Sequence, residues 1–279
     1  FEITWAMALS HFIHEKVDIA IVETGLGGRL DATNVIQPLL SVITNIGLDH
    51  TQLLGPDRPS IAKEKAGIIK RATPVIIGEL DEETKHVYKN VAKSLDAPLY
   101  FMSYPSPSQF TERNKLLAAE AIKTLNNYGF KVTKEHFESG ERNLFKNTGF
   151  FGRLQKINED PPIFIDAAHN LEGVKALLEV VETMNYRNLH IVYGASSDKN
   201  IAQILKLFPK DAKVYFCSFS SERSCKREHF YPLAMNLQFQ SAFFEDANDA
   251  LEAAKTAVKQ GDMIFLFGSF YLLEDIFKK

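Results

Sequence analysis

Short apolar runs alternating with helical stretches constrain the fold of this chain more than any other feature of its sequence. Eight runs read as strands, at 18–23, 40–44, 74–77, 163–165, 190–193, 213–217, 238–242 and 263–267. Most carry Val, Ile and Phe on both faces, as parallel strands do when helices cover them from either side. Helical periodicity fills 81–95, 111–127, 171–184, 199–207 and 246–259. The chain also opens on a helical pattern, with Ile3, Ala6, Met7 and Ile13 on one face and no capping residue ahead of it. Such alternation predicts βαβ units in open, mostly parallel sheets. A length of 279 residues holds about two domains. The boundary is expected where Gly149 and Gly152 precede a new set of strands, so the predicted domains are 1–148 and 149–279. Pro and Ser across 103–108 make a weaker candidate break.

Composition removes several classes of function. Lys and Arg total 32 against 35 for Asp and Glu, a net charge of −3, which gives no electrostatic footprint for nucleic acid or an anionic membrane. No apolar run approaches the roughly 20 residues that span a bilayer. Cys217 and Cys225 are too few for a disulfide framework and lack the partners of a zinc site. The expectation is a soluble, cytoplasmic monomer with neither nucleic-acid nor membrane partners. The sequence starts at Phe1 rather than Met and carries no signal peptide, so a cut chain or numbering from inside a longer protein is expected.

Chemistry concentrates where strands end. The first predicted strand stops at Glu23 and runs into Gly25, Gly27 and Gly28, a loop that turns tightly and lets a ligand approach the backbone. His50 follows the second strand, on the same edge of the sheet. Asp166 and His169 end a strand in the second half, and Asp198, Lys199, Gly268 and Ser269 also lie between strands and helices, where helix N-termini favour anions. Each feature has a plainer reading. Glu23 can be a solvated carboxylate, His50 a structural histidine, Lys65 an ordinary surface-helix lysine, Asn170 an N-cap, and 224–229 a solvated charged face. No G-x-x-x-x-G-K-[ST] loop occurs, and Leu30 stands where G-x-G-x-x-G needs its third glycine. From the residues alone, the chain is a two-domain α/β protein with an anionic-ligand site between the domains, with or without a metal ion.

Taken in order, several motifs carry a resemblance. Phe1-Glu2, the stretch 23–34 (ETGLGGRLDATN), 48–56 (LDHTQLLGP), 64–67 (EKAG), Gly152-Arg153, 166–170 (DAAHN), Asp198-Lys199 and Gly268-Ser269 together resemble the folylpolyglutamate synthase and dihydrofolate synthase family of the Mur ligase superfamily. That resemblance implies two open, mostly parallel sheet domains: part of a central ATPase domain and a C-terminal Rossmann-like ligase domain. It implies ATP-dependent ligation of L-glutamate to dihydropteroate, to the γ-carboxylate of a folylpolyglutamate, or to both, through an acyl phosphate. ATP, L-glutamate, dihydropteroate or folate, and Mg²⁺ are the implied substrates and cofactor. Glu23 and His50 match the family's magnesium ligands, although a histidine is atypical for that ion. Lys65 matches the lysine that the family carbamylates; a bare ammonium repels magnesium, whereas its CO₂ adduct is a carboxylate. Phe1, Asp31 and Ala32 match pteridine contacts, and Asn114, Arg153 and Asp166 match nucleotide contacts. His169, Asp198 and Lys199 match motif positions without an assigned role.

The sequence departs from the family pattern at Phe151, where Pro is usual, and at Thr111, where Gln is common. The resemblance also implies a preceding segment on the order of 100 residues, bearing the phosphate loop and a serine ligand. The chain as written is therefore expected to turn over no ATP by itself. Two other readings stay open at this level: another Mur-type carboxylate–amine ligase, and a non-catalytic ligand-binding paralogue.

Overall fold

The computed structural model describes residues 1–48, 50–105 and 110–277. Two compact units divide the chain, Phe1–Glu141 and Arg142–Lys279. The expected break at 103–108 falls partly outside the described residues.

The first unit runs α1 (Glu2–Glu15), β1 (Ser41–Ile43), α2 (Thr51–Leu54), α3 (Arg58–Lys65), β2 (Val75–Ile77), α4 (Glu82–Ser94), β3 (Leu99–Phe101), α5 (Phe110–Leu125) and α6 (Lys134–Arg142), which ends at the border. Its sheet is parallel in the order β1-β2-β3, with Ser41 opposite Val75 and Val75 opposite Leu99. The central strand β2 is buried along its whole length, packed with Ile61, Ala62, Tyr88 and Ala92 from α3 and α4. Both helices start on carboxylate caps: Asp57 accepts from Ser60 N at 2.8 Å and Asp81 from Glu83 N at 2.7 Å.

One predicted strand is absent. Residues 18–23 make no ladder, and β1 pairs only with β2 among the described residues. Apolar alternation makes a strand only where a neighbouring strand takes up its N–H and C=O groups; without one, Ile21 stands 94% exposed. The apolar face of α1 is likewise outward, with Ile3, Met7 and Ile13 all exposed. The short edge strand β3 and the amphipathic helix α6 were not predicted.

The second unit continues with α7 (Leu144–Thr148), β4 (Gln155–Glu159), β5 (Pro162–Asp166), α8 (Leu171–Val181), β6 (Leu189–Tyr193), α9 (Ile201–Leu205), β7 (Lys213–Cys217), α10 (Arg227–Leu237), β8 (Gln240–Phe244), α11 (Ala247–Ala257), β9 (Met263–Phe267) and α12 (Phe270–Phe277). Its sheet has the order β4-β5-β9-β6-β7-β8, parallel throughout except for β4 against β5. Successive apolar residues of the inner strands feed opposite cores. Ile191 joins Leu177, Leu178 and Phe230 beneath α8 and α10, whereas Val192 joins Leu251 and Leu272 beneath α11 and α12. This is the helix-covered parallel sheet that the doubly apolar runs predict.

Two differences have local causes. Strand β4 lies on an edge and is polar or charged except for Ile157, so it lacks the apolar run of its neighbours. Strand β8 starts later than expected because Gln238 takes a left-handed conformation at the end of α10. In the 224–229 cluster the charged residues 226–229 are exposed, as a solvated face is, whereas Ser224 and Cys225 before them are buried. Among the described residues, no helix is long and apolar enough to cross a membrane.

Candidate active site

The glycine-rich loop is fastened to the end of α3. The Arg29 backbone N–H donates to the Glu64 carbonyl at 2.8 Å, and its guanidinium grips the Glu64 carboxylate at 3.1 Å. Asn34 Nδ2 donates to the carbonyls of Gly67 at 3.0 Å and Arg29 at 3.2 Å, while Lys70 Nζ reaches the Asn34 carbonyl at 2.7 Å. A Cβ at Gly67 would run into Arg29 Cα and Cβ, so only glycine permits this crossing. Two motifs far apart in sequence are therefore one backbone-to-backbone joint, and Lys65, half-buried at the last position of α3, sits within it.

Asp31 organises the far end of the loop. It caps the 3₁₀ turn Ala32–Val35, accepting from Thr33 N and Leu26 N, each at 2.9 Å, and from the Thr33 hydroxyl. Burial pushes its carboxyl up, but the Thr33 hydroxyl and the backbone donors of Leu26, Thr33 and Gly25 outweigh that and hold it below the usual carboxylate range. A Cβ at Gly25 would meet the Phe1 ring at 3.3 Å and Asp31 Oδ2 at 3.4 Å. Phe1, Asp31 and the half-buried Ala32 are thus brought together.

Beside them lies a cavity of about 210 Å³, lined by Phe1, Trp5, Phe12, Ile21, Glu23 and Thr33 among others. Trp5 Nε1 is buried there with no hydrogen-bond partner. Aromatic faces, one orphaned donor and one carboxylate suit a flat heteroaromatic ligand. Sequence reasoning missed Trp5 and Thr33. A signal existed for Trp5, the sole tryptophan, which stands one helical turn from Phe1.

Glu23 and His50 are exposed, and His50 holds a left-handed conformation ahead of α2. Among the described residues, no three His, Cys, Asp or Glu side chains form a group able to hold a metal ion. A carboxylate and an imidazole are too few for an all-protein cage. They match in number the protein ligands magnesium uses when phosphate oxygens and water complete its shell. Asn114 lies exposed on α5.

In the second unit, Asp166 ends β5 almost fully buried. Its oxygens accept from Leu154 N and Ala168 N, each at 2.7 Å, and Ala167 N donates to the Gly152 carbonyl at 2.9 Å. Burial pushes the Asp166 carboxyl above its ordinary value, opposed by those two N–H groups and by Arg153 and His169. The turn bearing Arg153 is therefore fixed from β5. His169 Nδ1 donates to the Ala167 carbonyl at 2.9 Å, leaving Nε2 as the open ring nitrogen. Lys199 Nζ lies 3.4 Å from Asp198 after β6. Because β5, β9 and β6 are adjacent and parallel, the loops holding Asp166–His169, Ser269 and Asp198–Lys199 share one edge of this sheet.

A doubly wound unit with its polar loops on one sheet edge belongs to a known class. Residues 152–270 match the family model described as Mur ligase, glutamate ligase domain. The dihydrofolate synthase/folylpolyglutamate synthase of Bacillus subtilis is 31% identical, over all of this chain and 71% of its own length. The structure of E. coli FolC in complex with DHPP and ADP superposes with a TM-score of 0.80 at 27% identity, covering 96% of this chain and 67% of that one. A bifunctional folylpolyglutamate synthase/dihydrofolate synthase with Mn, AMPPNP and L-glutamate bound gives 0.78 at 28% identity, covering 97% and 69%. This chain belongs to the dihydrofolate synthase/folylpolyglutamate synthase family.

Proposed function

We propose that the protein ligates L-glutamate to dihydropteroate, to the γ-carboxylate of a folylpolyglutamate, or to both, at the expense of ATP. One observation carries this reading: the whole chain, through both units, aligns with a dihydrofolate synthase/folylpolyglutamate synthase at 31% identity. The acceptor carboxylate attacks the γ-phosphorus of ATP, ADP leaves, and an acyl phosphate forms. The glutamate amine then attacks the acyl carbon, the acyl C–O bond breaks, phosphate departs with that bond's electron pair and the bridging oxygen, and the amine loses a proton. Such transfers depend on positioning and charge neutralisation more than on a protein nucleophile.

Phe1, Asp31 and Ala32 serve the pteridine. The Phe1 ring offers a stacking face, and Asp31, held ionised, accepts hydrogen bonds from ring N–H groups. Glu23 and His50 would hold a magnesium ion shared with the nucleotide phosphates, and the bound ion supplies neutralisation of charge on the transferring phosphoryl group. Lys65 takes up CO₂ through its neutral amine, releasing a proton and leaving a carbamate anion beside the glycine-rich loop. Asn114, Arg153 and Asp166 serve the nucleotide, Arg153 by contact and Asp166 also by fixing the Arg153 turn. His169, Asp198 and Lys199 lie on the same sheet edge as Asp166 and are held in reserve as ligand contacts.

The test is ADP release by the protein expressed from its complete reading frame. Release should require both glutamate and a pteroate or folate acid. Equal release with an unrelated carboxylic acid would favour a different Mur-type ligase, and binding of folate without any turnover would favour a non-catalytic relative.

A further inference from the structure

The Arg153 side chain has a holder that its backbone does not supply. Asp166 and Ala167 fix the peptide groups on either side of it, but a long side chain on a fixed turn still samples many rotamers. The guanidinium lies over the Phe270 ring, with Cζ 5.1 Å from the centroid, and 6.0 Å from the Phe150 centroid. Both distances fall within the range of cation–π attraction. Phe270 is the first residue of α12, directly after Gly268 and Ser269. The approach is built into the backbone. Gly152 has φ +80°, and a Cβ there would meet Leu273 Cδ1 at 2.5 Å and Phe270 Cε1 at 3.7 Å, so the Gly152–Arg153 turn rests directly on α12.

Stacking occupies the face of a guanidinium and leaves its N–H edge pointing outward, in the plane where phosphate oxygens are bound. Arg153 forms no salt bridge among the described residues; Asp166 acts on it electrostatically from further off, and the Asp166 oxygens are taken up by Leu154 N and Ala168 N. The two rings are only partly covered, Phe150 at 47% and Phe270 at 40% exposure, which fits an anion-facing surface better than a packed core.

We propose that Phe270 is a positioning residue for ATP: it stacks on the Arg153 guanidinium and presents its N–H edge to the nucleotide phosphates. This rests on the assignment of Arg153 to the nucleotide. It goes beyond that assignment because α12 and the loop after β9 then take part in nucleotide binding through Arg153, without touching the nucleotide themselves.

The experiment compares Phe270→Leu, Phe270→Tyr, Arg153→Ala and the double variant Arg153→Ala/Phe270→Leu in the protein from its complete reading frame. Phe270→Leu keeps the bulk over Gly152 and Leu273 but removes the π face. It should raise KM for ATP about two- to fivefold, with kcat and the KM for glutamate unchanged. Phe270→Tyr should restore the wild-type value. Phe270→Leu should add nothing once Arg153 is Ala, a non-additivity that a packing role would not produce. If Arg153→Ala impairs ATP use while Phe270→Leu matches the wild type, the positioning role is wrong and the nucleotide assignment stands. If Arg153→Ala leaves ATP kinetics untouched, both are wrong. Equal losses in Phe270→Leu with and without Arg153 would also overturn the proposal, by showing that the ring acts through packing alone.

Discussion

Gly67 leaves no room for a methyl group, because the Arg29 backbone passes where its Cβ would be. Gly67→Ala should therefore push the glycine-rich loop off α3 and cost about 1–3 kcal/mol, the usual range for overpacking. Urea unfolding checks this, and an unchanged midpoint would mean that the loop yields without strain. Lys65 sits in the same joint, so its chemistry depends on a geometry set by its neighbours. Lys65→Ala should abolish most glutamate-dependent turnover, leave the unfolding midpoint nearly unchanged, and recover partly with formate or acetate. Intact mass at neutral pH should show one CO₂ on Lys65. A fully active enzyme with an unmodified lysine would contradict that role. At this scale the sequence was informative through its motifs: Phe1, Asp31 and Ala32 could be picked out by resemblance alone. The Arg29–Glu64 clasp could not, because an Arg and a Glu 35 residues apart carry no local signal, and Trp5 offered only its rarity and its place one helical turn from Phe1.

Among the elements, the edge of the second sheet opposite Asp166 carries a buried polar chain. His190 at the start of β6 is fully buried, with Nε2 3.2 Å from Asp262 and Nδ1 3.1 Å from the Tyr215 hydroxyl. Asn188 Nδ2 and Lys259 N also donate to Asp262, at 2.6 and 3.0 Å. Burial pulls the His190 imidazole below its ordinary 6.5; Asp262 opposes this and Lys213 adds to it. The unfolded chain then binds more protons than the folded one between the two pKa values, so stability rises with pH across that interval. The contribution is fully present above about pH 6.5 and is lost as pH falls toward the folded value. Asp262, held low by its donors against burial, loses its contribution only further down, as pH falls from 3.8 toward its own folded value. In His190→Gln the slope just below pH 6.5 should vanish, whereas parallel slopes in variant and wild type would place the titration elsewhere. His190 itself read only as part of an apolar run, since its partners come from β7 and the turn before β9. The strands of this unit were legible because both faces are buried. Residues 18–23 misled for the complementary reason: alternation records the tendency to form a strand but not the presence of a neighbour.

At the scale of the whole molecule, the α/β class was legible in strand–helix alternation, and the mostly parallel sheets in apolar runs on both faces. The order β4-β5-β9-β6-β7-β8 was not, because the insertion of β9 between β5 and β6 depends on crossovers that no local pattern specifies. That insertion places the Gly268–Ser269–Phe270 turn beside Asp166 and gives Arg153 its aromatic support. Ligation through an acyl phosphate is tested with dihydropteroate labelled with oxygen-18 in its carboxylate, incubated with ATP, glutamate and the protein from its complete reading frame. Each inorganic phosphate released should carry one labelled oxygen and ADP none, because the attacking carboxylate oxygen leaves with the phosphate. Amide formed with unlabelled phosphate would rule the acyl phosphate out.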